Sequence, residues 1–178
     1  MEKEFPQRKP TRLRHFDYSQ AGAYFVTICI QDRKRIVSEV VKINETVFSD
    51  YAWGYSIQLK PCGEIVKSQL LALADRFENV TVADYVVMPD HIHAILILHK
   101  NSGGASPSPT MSDVICVFKS LVVRACKQEH GITKMFQRSF SEHIIRDRED
   151  YETRRKYIYE NPLRWYYKHI VTEDQTNN

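Results

Sequence analysis

The chain has 178 residues, of which 43% are hydrophobic and 26% are charged, and its 25 basic and 22 acidic side chains give a net charge of +3. At about 150 residues per domain this length predicts one domain, and the composition excludes a wholly disordered chain, a collagen-like fibre and a disulfide scaffold. The small positive charge permits a nucleic-acid partner without requiring one.

The chain divides into an arm, a domain and a tail. Residues 1–16 hold five basic side chains and two prolines, which predicts an extended basic arm. Residues 17–170 are predicted to form the single domain, and residues 171–178 a polar tail.

Within the domain, residues 23–30 are rich in β-branched and aromatic side chains, which predicts a central strand. Residues 47–58 predict one or two more strands.

A helix and a hairpin are predicted next. Between residues 62 and 77 apolar side chains recur at three- and four-residue spacing, which indicates an amphipathic helix. Residues 80–88 and 91–98 read as two strands, and the Pro89-Asp90 turn signal between them predicts an antiparallel hairpin. Residues 101–110, rich in glycine, proline and serine, predict a flexible loop.

Two further helices complete the domain. Ser112 and Asp113 can cap a helix that runs to about Glu129, and Gly131 then ends it. The last helix is predicted over residues 147–160, because a residue before Pro162 avoids the helical region. Hairpins mixed with crossovers favour an α+β fold in which helices pack on one face of an antiparallel sheet.

Cellular location is predicted from the cysteines and from apolar run length. The four cysteines form no CxxC pair, so we expect free thiols rather than a zinc knuckle. No apolar run approaches the roughly 20 residues of a membrane span, and the N-terminus lacks the apolar core of a secretory signal. We therefore expect a cytoplasmic protein with no membrane partner.

The second hairpin strand carries the most informative pair of side chains. His91 and His93 are two residues apart, so both imidazoles point to the same face of a strand. Ile92 points to the opposite face, as a core residue does. For this pair alone, three interpretations stay open: half of a metal site, a phosphate-binding pair, or a chance pairing of structural side chains.

The last helix offers the complementary groups. Tyr157 and Asn161 are four residues apart and so share one helical face, whereas Tyr151 and Tyr159 have no amide four residues later. A tyrosine beside cations and a metal site can attack a phosphodiester. Alone, however, any one of the ten tyrosines is more simply explained by packing.

Several motifs in order resemble one family. Residues 85–93, YVVMPDHIH, resemble the HUH motif of single-tyrosine transposases, which typically reads YVVMPNHxH. Residues 157–162, YIYENP, resemble the tyrosine helix of that family, and residues 140–147, FSEHIIRD, are similar to a stretch of the REP-associated tyrosine transposases. Residues 12–14, 17–18 and 22–27 also resemble that branch. One departure is Asp90, which replaces the usual asparagine before the first histidine.

The resemblance implies a fold, a metal and a reaction. It implies a ferredoxin-like (RRM-like) fold with both histidines on a central strand, and Mg²⁺ or Mn²⁺ held by His91 and His93. By position the third ligand is Asn161, although some relatives use a glutamine. Tyr157 is implied as the nucleophile that forms a 5′-phosphotyrosine on single-stranded DNA near a hairpin, of the REP type or from the end of a mobile element.

Further cations are candidates for DNA contacts. They are Arg12, Arg14, Lys119, Arg124, Arg138 and Arg146, and a solvated surface position explains each of them equally well. Two alternative functions remain: a binder of structured DNA that does not cut, and a nuclease of the replication-initiator or relaxase type. Both a monomer and a homodimer with an exchanged tyrosine helix remain open.

Overall fold

The computed structural model describes residues 20–42, 54–100 and 109–171. The predicted arm, the predicted tail from residue 172 onward and the greater part of the loop lie outside these ranges. So does the first part of the strand region predicted at 47–58.

The strands are β1 (Gly22–Cys29), β2 (Ser38–Lys42), β3 (Tyr55–Leu59), β4 (Val80–Met88), β5 (His91–Leu98) and β6 (Ser141–Ile145). The helices are α1 (Pro61–Leu71), α2 (Leu73–Arg76), α3 (Met111–His130) and α4 (Arg148–Tyr166), which continues as a π-helical turn over Tyr167–Val171.

Four strands form the main sheet, in the order β4-β5-β1-β6. Every pairing within it is antiparallel. The strands β4 and β5 form a hairpin, while helical segments connect β1 to β4 and β5 to β6, which are not neighbours in the sheet, as in a ferredoxin-like fold. The strand β2 pairs with β3 in a separate small sheet. The predicted central strand, the predicted hairpin and the predicted antiparallel α+β fold are confirmed.

Both faces of the main sheet are covered. One face, which includes Ile28 and Ile92, packs against Val66 of α1 and Phe118 of α3. The other face packs Phe25, Ile95 and neighbouring side chains against Ile158 and Trp165 of α4. The expectation that the helices pack on one face is therefore corrected, because β1 and β5 present apolar side chains on both sides of the pleat.

The α4 helix does not end before its proline. It continues through Pro162 to Tyr166, whereas the sequence predicts an end at residue 160. A proline inside a helix removes one backbone hydrogen bond. Ile158 and Trp165, both buried against the sheet, lie on either side of Pro162, so tertiary packing retains the last turn.

Other departures from prediction are smaller. The helix predicted over residues 62–77 is interrupted at Ala72, which separates α1 from α2. Thr110 caps α3 in a reciprocal box with Asp113, and Gly131 ends the helix in the left-handed conformation, at φ 70°. The strands β2 and β6 were not predicted.

Two further expectations concern the cysteines and the apolar character of the helices. All four cysteines carry free thiols, as expected. Among the described residues no helix has both the length and the apolar character that crossing a membrane requires.

Candidate active site

The two histidines of β5 lie on the sheet face that α4 covers. Their ring centroids are 4.5 Å apart. The Nδ1 atom of His93 is 2.9 Å from the hydroxyl oxygen of Thr27. Thr27 lies on β1, directly opposite His93 in the pairing of β1 with β5. Asp90 accepts a hydrogen bond from Nδ1 of His91. Within the described part of the chain, Nε2 of both rings makes no hydrogen bond and is available to a ligand.

Burial and charge set the ionisation of this pair. His93 is only 5% exposed. Burial, with the charges of His91 and Arg33, lowers the pKa of His93 to about 3, against the opposing charge of Asp90, so its ring is neutral at pH 7. Burial raises the pKa of Asp90, but the hydrogen bond and charge of His91 and the charge of Arg33 outweigh it and lower that pKa. Asp90 is therefore a carboxylate, and Arg33 Nη1 lies 3.4 Å from its Oδ2.

The α4 helix places Tyr157 beside these histidines. The ring centroid of Tyr157 is 5.2 Å from that of His93, in an edge arrangement. On another side the ring centroid of Phe25 is 5.9 Å away, and the guanidinium carbon of Arg164 lies 5.5 Å from the Tyr157 centroid. The tyrosine is 37% exposed, so it contacts the buried histidine while remaining accessible to a substrate.

Asn161 follows one helical turn after the tyrosine. It is 5% exposed and lines a pocket together with His91 and Tyr157. Its side-chain amide is thus part of the pocket wall, where the amide oxygen could bind a ligand.

His91, His93 and Asn161 are the residues of this region that could hold a divalent cation. No group of three histidine, cysteine or acidic side chains able to hold a metal occurs among residues 20–42, 54–100 and 109–171. A metal held by the imidazole pair would therefore need a third protein ligand of another type. The amide of Asn161 could be that ligand, and water or substrate oxygens would complete the shell.

Cations that the sequence analysis missed surround the same pocket. It has a volume of about 290 Å³, and besides Asp90 and the three residues already described it is lined by Arg33, Arg164, Trp165, Lys168 and His169. Arg164 lies seven positions after Tyr157, and Lys168 lies seven positions after Asn161. Seven positions are about two helical turns, so the sequence spacing already indicated that each cation shares a helical face with the earlier residue. Arg33 is ion-paired with Asp90 and Arg164 with Glu160, so carboxylates balance part of the positive charge of the pocket.

A buried carboxylate fixes α4 on the sheet. Asp84 lies at an irregularity in the β4–β5 pairing. It accepts hydrogen bonds from the hydroxyls of Tyr151 and Tyr159, each at 2.9 Å, and its Oδ1 is 3.4 Å from Nε of Arg155. Burial, together with the hydrogen bond and charge of Asp84, raises the pKa of Tyr151 to about 12. These two tyrosines therefore position the helix.

The segment around β6 fixes the start of the same helix. Asp147 caps α4 by accepting a hydrogen bond from the backbone N–H of Asp150, at 2.8 Å. The Asp150 carboxylate lies 2.6 Å from Nε2 of His143 on β6 and 3.1 Å from Nε of Arg154. The FSEHIIRD stretch thus orients the helix that carries Tyr157.

Among the predicted DNA-contact residues that the structure describes, Lys119, Arg124 and Arg138 line one groove and Arg146 lies apart from it. Arg12 and Arg14 lie outside the described residues. The ammonium of Lys119 donates to the backbone carbonyls of Gln137 and Ser139, at 2.9 and 3.0 Å, so part of its role is structural. Arg124, Arg138 and Arg146 are exposed, and Arg146 lies next to the start of α4.

Comparison with known proteins finds relatives of this chain at 26% sequence identity. No family model matches the chain. A Haemophilus influenzae protein named as a putative REP-associated tyrosine transposase is 26% identical over 163 residues, which is 88% of this chain and 79% of that protein. The chain is a sequence relative of that protein. An uncharacterized protein of the same bacterium is 26% identical over 173 residues, which is 89% of each chain.

A solved structure of a REP-associated tyrosine transposase bound to a REP hairpin has the same fold. It aligns with a TM-score of 0.56 at 21% identity, over 86% of this chain and 73% of that one. The family resemblance and the antiparallel α+β architecture predicted from the motifs are both confirmed.

Proposed function

We propose that this relative of the REP-associated transposases cleaves and rejoins single-stranded DNA near hairpins, with Tyr157 as the nucleophile. The observation that carries the proposal is the position of the Tyr157 ring, 5.2 Å from that of His93, in a wall shared with His91 and Asn161. The other tyrosines of α4 support this choice, because Tyr151 and Tyr159 donate their hydroxyls to Asp84.

The proposed reaction exchanges one phosphate ester for another. The Tyr157 oxygen attacks the scissile phosphorus and loses its proton to solvent. The bond from phosphorus to the 3′ oxygen breaks, and that oxygen takes up a proton as a 3′-hydroxyl. The product is a 5′-phosphotyrosine, and attack by a 3′-hydroxyl reverses the step, so rejoining needs no external energy source.

A divalent metal, Mg²⁺ or Mn²⁺, is part of the proposal. His91, His93 and Asn161 would hold it, and when bound it neutralises charge on a non-bridging phosphate oxygen. Two imidazoles and one amide form a poorer shell for Mg²⁺ than for Mn²⁺. We therefore expect weak metal binding without DNA and tighter binding of Mn²⁺.

The proposed partner is DNA that contains a hairpin. The structurally similar transposase is bound to a REP hairpin. In this chain Arg33, Arg164 and Lys168 line the pocket beside Tyr157 and supply positive charge for a phosphate of the cleaved strand.

The proposal is tested by trapping the covalent product. The protein is incubated with Mn²⁺ and single-stranded DNA from the regions that flank its gene, and denaturing electrophoresis separates any adduct. We expect an adduct with the native chain and none with Tyr157→Phe or in the presence of a chelator. The matched control is Tyr167→Phe, which alters a nearby tyrosine that is 57% exposed and should keep the adduct.

Two results contradict the proposed chemistry. An adduct that persists in Tyr157→Phe shows that another residue is the nucleophile. Tight hairpin binding without any adduct supports the alternative function, a binder of structured DNA that does not cut.

A further inference from the structure

A second basic surface lies away from the tyrosine pocket. A groove of about 630 Å³ runs between the second half of α3 and residues 133–138. We name it the basic groove, and its cations are Lys119, Arg124, Lys127, Lys134 and Arg138. No acidic side chain lines it.

The charges of the basic groove are available to a ligand. Arg124, Lys127, Lys134 and Arg138 are exposed. In the part of the chain that the structure describes, none of these four side chains forms an ion pair. Lys119 has a different role, because its ammonium binds the carbonyls of Gln137 and Ser139 and fixes the wall opposite α3. A row of unpaired cations on a fixed frame predicts a polyanion as its ligand.

The wall of the basic groove is hydrogen-bonded to the strand beside the histidines. The N–H of Gln137 donates to the carbonyl of Cys29 at 2.9 Å, and Phe136 forms an isolated bridge with Ile30. Cys29 pairs with His91 on the other side of β1. With neighbouring strands about 4.8 Å apart, the backbone of Phe136 lies roughly 10 Å from that of His91.

We infer that the basic groove binds the phosphate backbone of the DNA whose cleaved phosphate occupies the Tyr157 pocket. This inference rests on the proposed function and names the surface that holds the rest of the substrate. The five cations of the groove carry ammonium or guanidinium groups, whose charge attracts phosphate oxygens in DNA of any sequence. The groove therefore holds and orients the DNA and adds no sequence preference.

The test compares two charge-matched double variants. Arg124→Gln with Lys127→Gln removes one arginine and one lysine from the basic groove. Arg76→Gln with Lys100→Gln removes the same pair from exposed sites elsewhere, and Lys100 follows β5 at the end opposite His91. Fluorescence anisotropy measures the Kd of each protein for a hairpin oligonucleotide with a single-stranded flank, over a series of salt concentrations.

We expect the groove variant to bind roughly tenfold more weakly at physiological salt. Each lost phosphate contact should reduce the slope of log K against log salt by about 0.9, so the groove variant should be shallower by about 1.8. The control variant should keep the native slope. Two hairpins of unrelated sequence should lose affinity by the same factor.

Each other outcome has a defined meaning. A groove variant with the native Kd and slope overturns the inference and leaves the proposed function intact. Equal losses in the groove and control variants also overturn it, because net charge alone then explains the effect. If the native chain binds no DNA hairpin, the proposed function itself fails.

Discussion

The residue with the most specific chemical effect next to the histidines is Asp90. Its carboxylate accepts the Nδ1 proton of His91 and so leaves Nε2 as the ligand atom of that ring. Carboxylates placed in this way fix the orientation of a metal-bound histidine and make it a stronger ligand. The motif that residues 85–93 resemble typically has asparagine here, so Asp90 adds a negative charge that the motif does not require.

At this scale we predict that Asp90→Asn weakens metal binding. An asparagine keeps the size and the acceptor oxygen but loses the charge that strengthens His91 as a ligand. We expect Mn²⁺ affinity to fall about tenfold, measured by electron paramagnetic resonance of free Mn²⁺ without DNA. At saturating Mn²⁺ the covalent adduct should still form.

The control for this variant is Asp32→Asn. Asp32 is exposed and bonds to the side chain of Gln31, so the change removes one nearby negative charge without touching a histidine. Equal affinities for Asp90→Asn and the native chain would contradict a role of Asp90 in positioning His91.

At the scale of elements, α4 is held on the sheet largely by polar contacts. The helix is mostly polar and buries only Ile158, Asn161 and Trp165. Apolar burial alone gives such a helix little stability on a sheet. The hydrogen bonds to Asp84 and the bonds from Asp150 to His143 and Arg154 supply the remaining anchoring.

We predict that Asp84→Ala destabilises the protein. The change removes the acceptor that Asp84 offers to the hydroxyls of Tyr151 and Tyr159 and one carboxylate beside Arg155. Hydrogen bonds to charged groups contribute about 1.5–3 kcal/mol each, so we expect the free energy of unfolding to fall by about 3 kcal/mol. Urea denaturation measures the loss.

The matched variant is Asp75→Ala, which removes an exposed carboxylate from α2. Exposed substitutions of this kind change stability by about 0.5 kcal/mol or less. Similar midpoints for Asp84→Ala and Asp75→Ala would show that the Asp84 cluster does not anchor α4.

At the scale of the whole molecule, the proposed site draws on two elements of one chain. The histidines come from β5 and the tyrosine and amide from α4, and α4 packs on the sheet of its own chain. Asp84 of β4 and His143 of β6 hold the helix between Asp150 and Tyr159, so an exchanged helix would have to re-form both sets of contacts on a second copy. We therefore expect the tyrosine to act in cis.

Mixing two inactive variants tests this expectation. His91→Gln keeps Tyr157, and Tyr157→Phe keeps the histidines. If the site forms within one chain, an equimolar mixture forms no more adduct on the denaturing gel than either variant alone. Adduct formation in the mixture would show a tyrosine helix that acts on the histidines of another copy.

Local patterns in the sequence were sufficient for the pairs within each element. The strand period of two places His91 and His93 on one face, and the helical spacing of four does the same for Tyr157 and Asn161. The hairpin of β4 and β5 and the end of α3 at Gly131 also follow from a few neighbouring residues. Such patterns depend on backbone geometry alone, so they hold in any tertiary context.

Only the tertiary structure decided how these elements meet. Nothing local to Asp84 shows that it binds Tyr151 and Tyr159, which are 67 and 75 positions away along the chain. The strand β6 forms because β1 offers it an edge, and α4 continues past Pro162 because Trp165 is buried on the sheet. Contacts between distant residues depend on strand order, register and packing, which the whole chain fixes together.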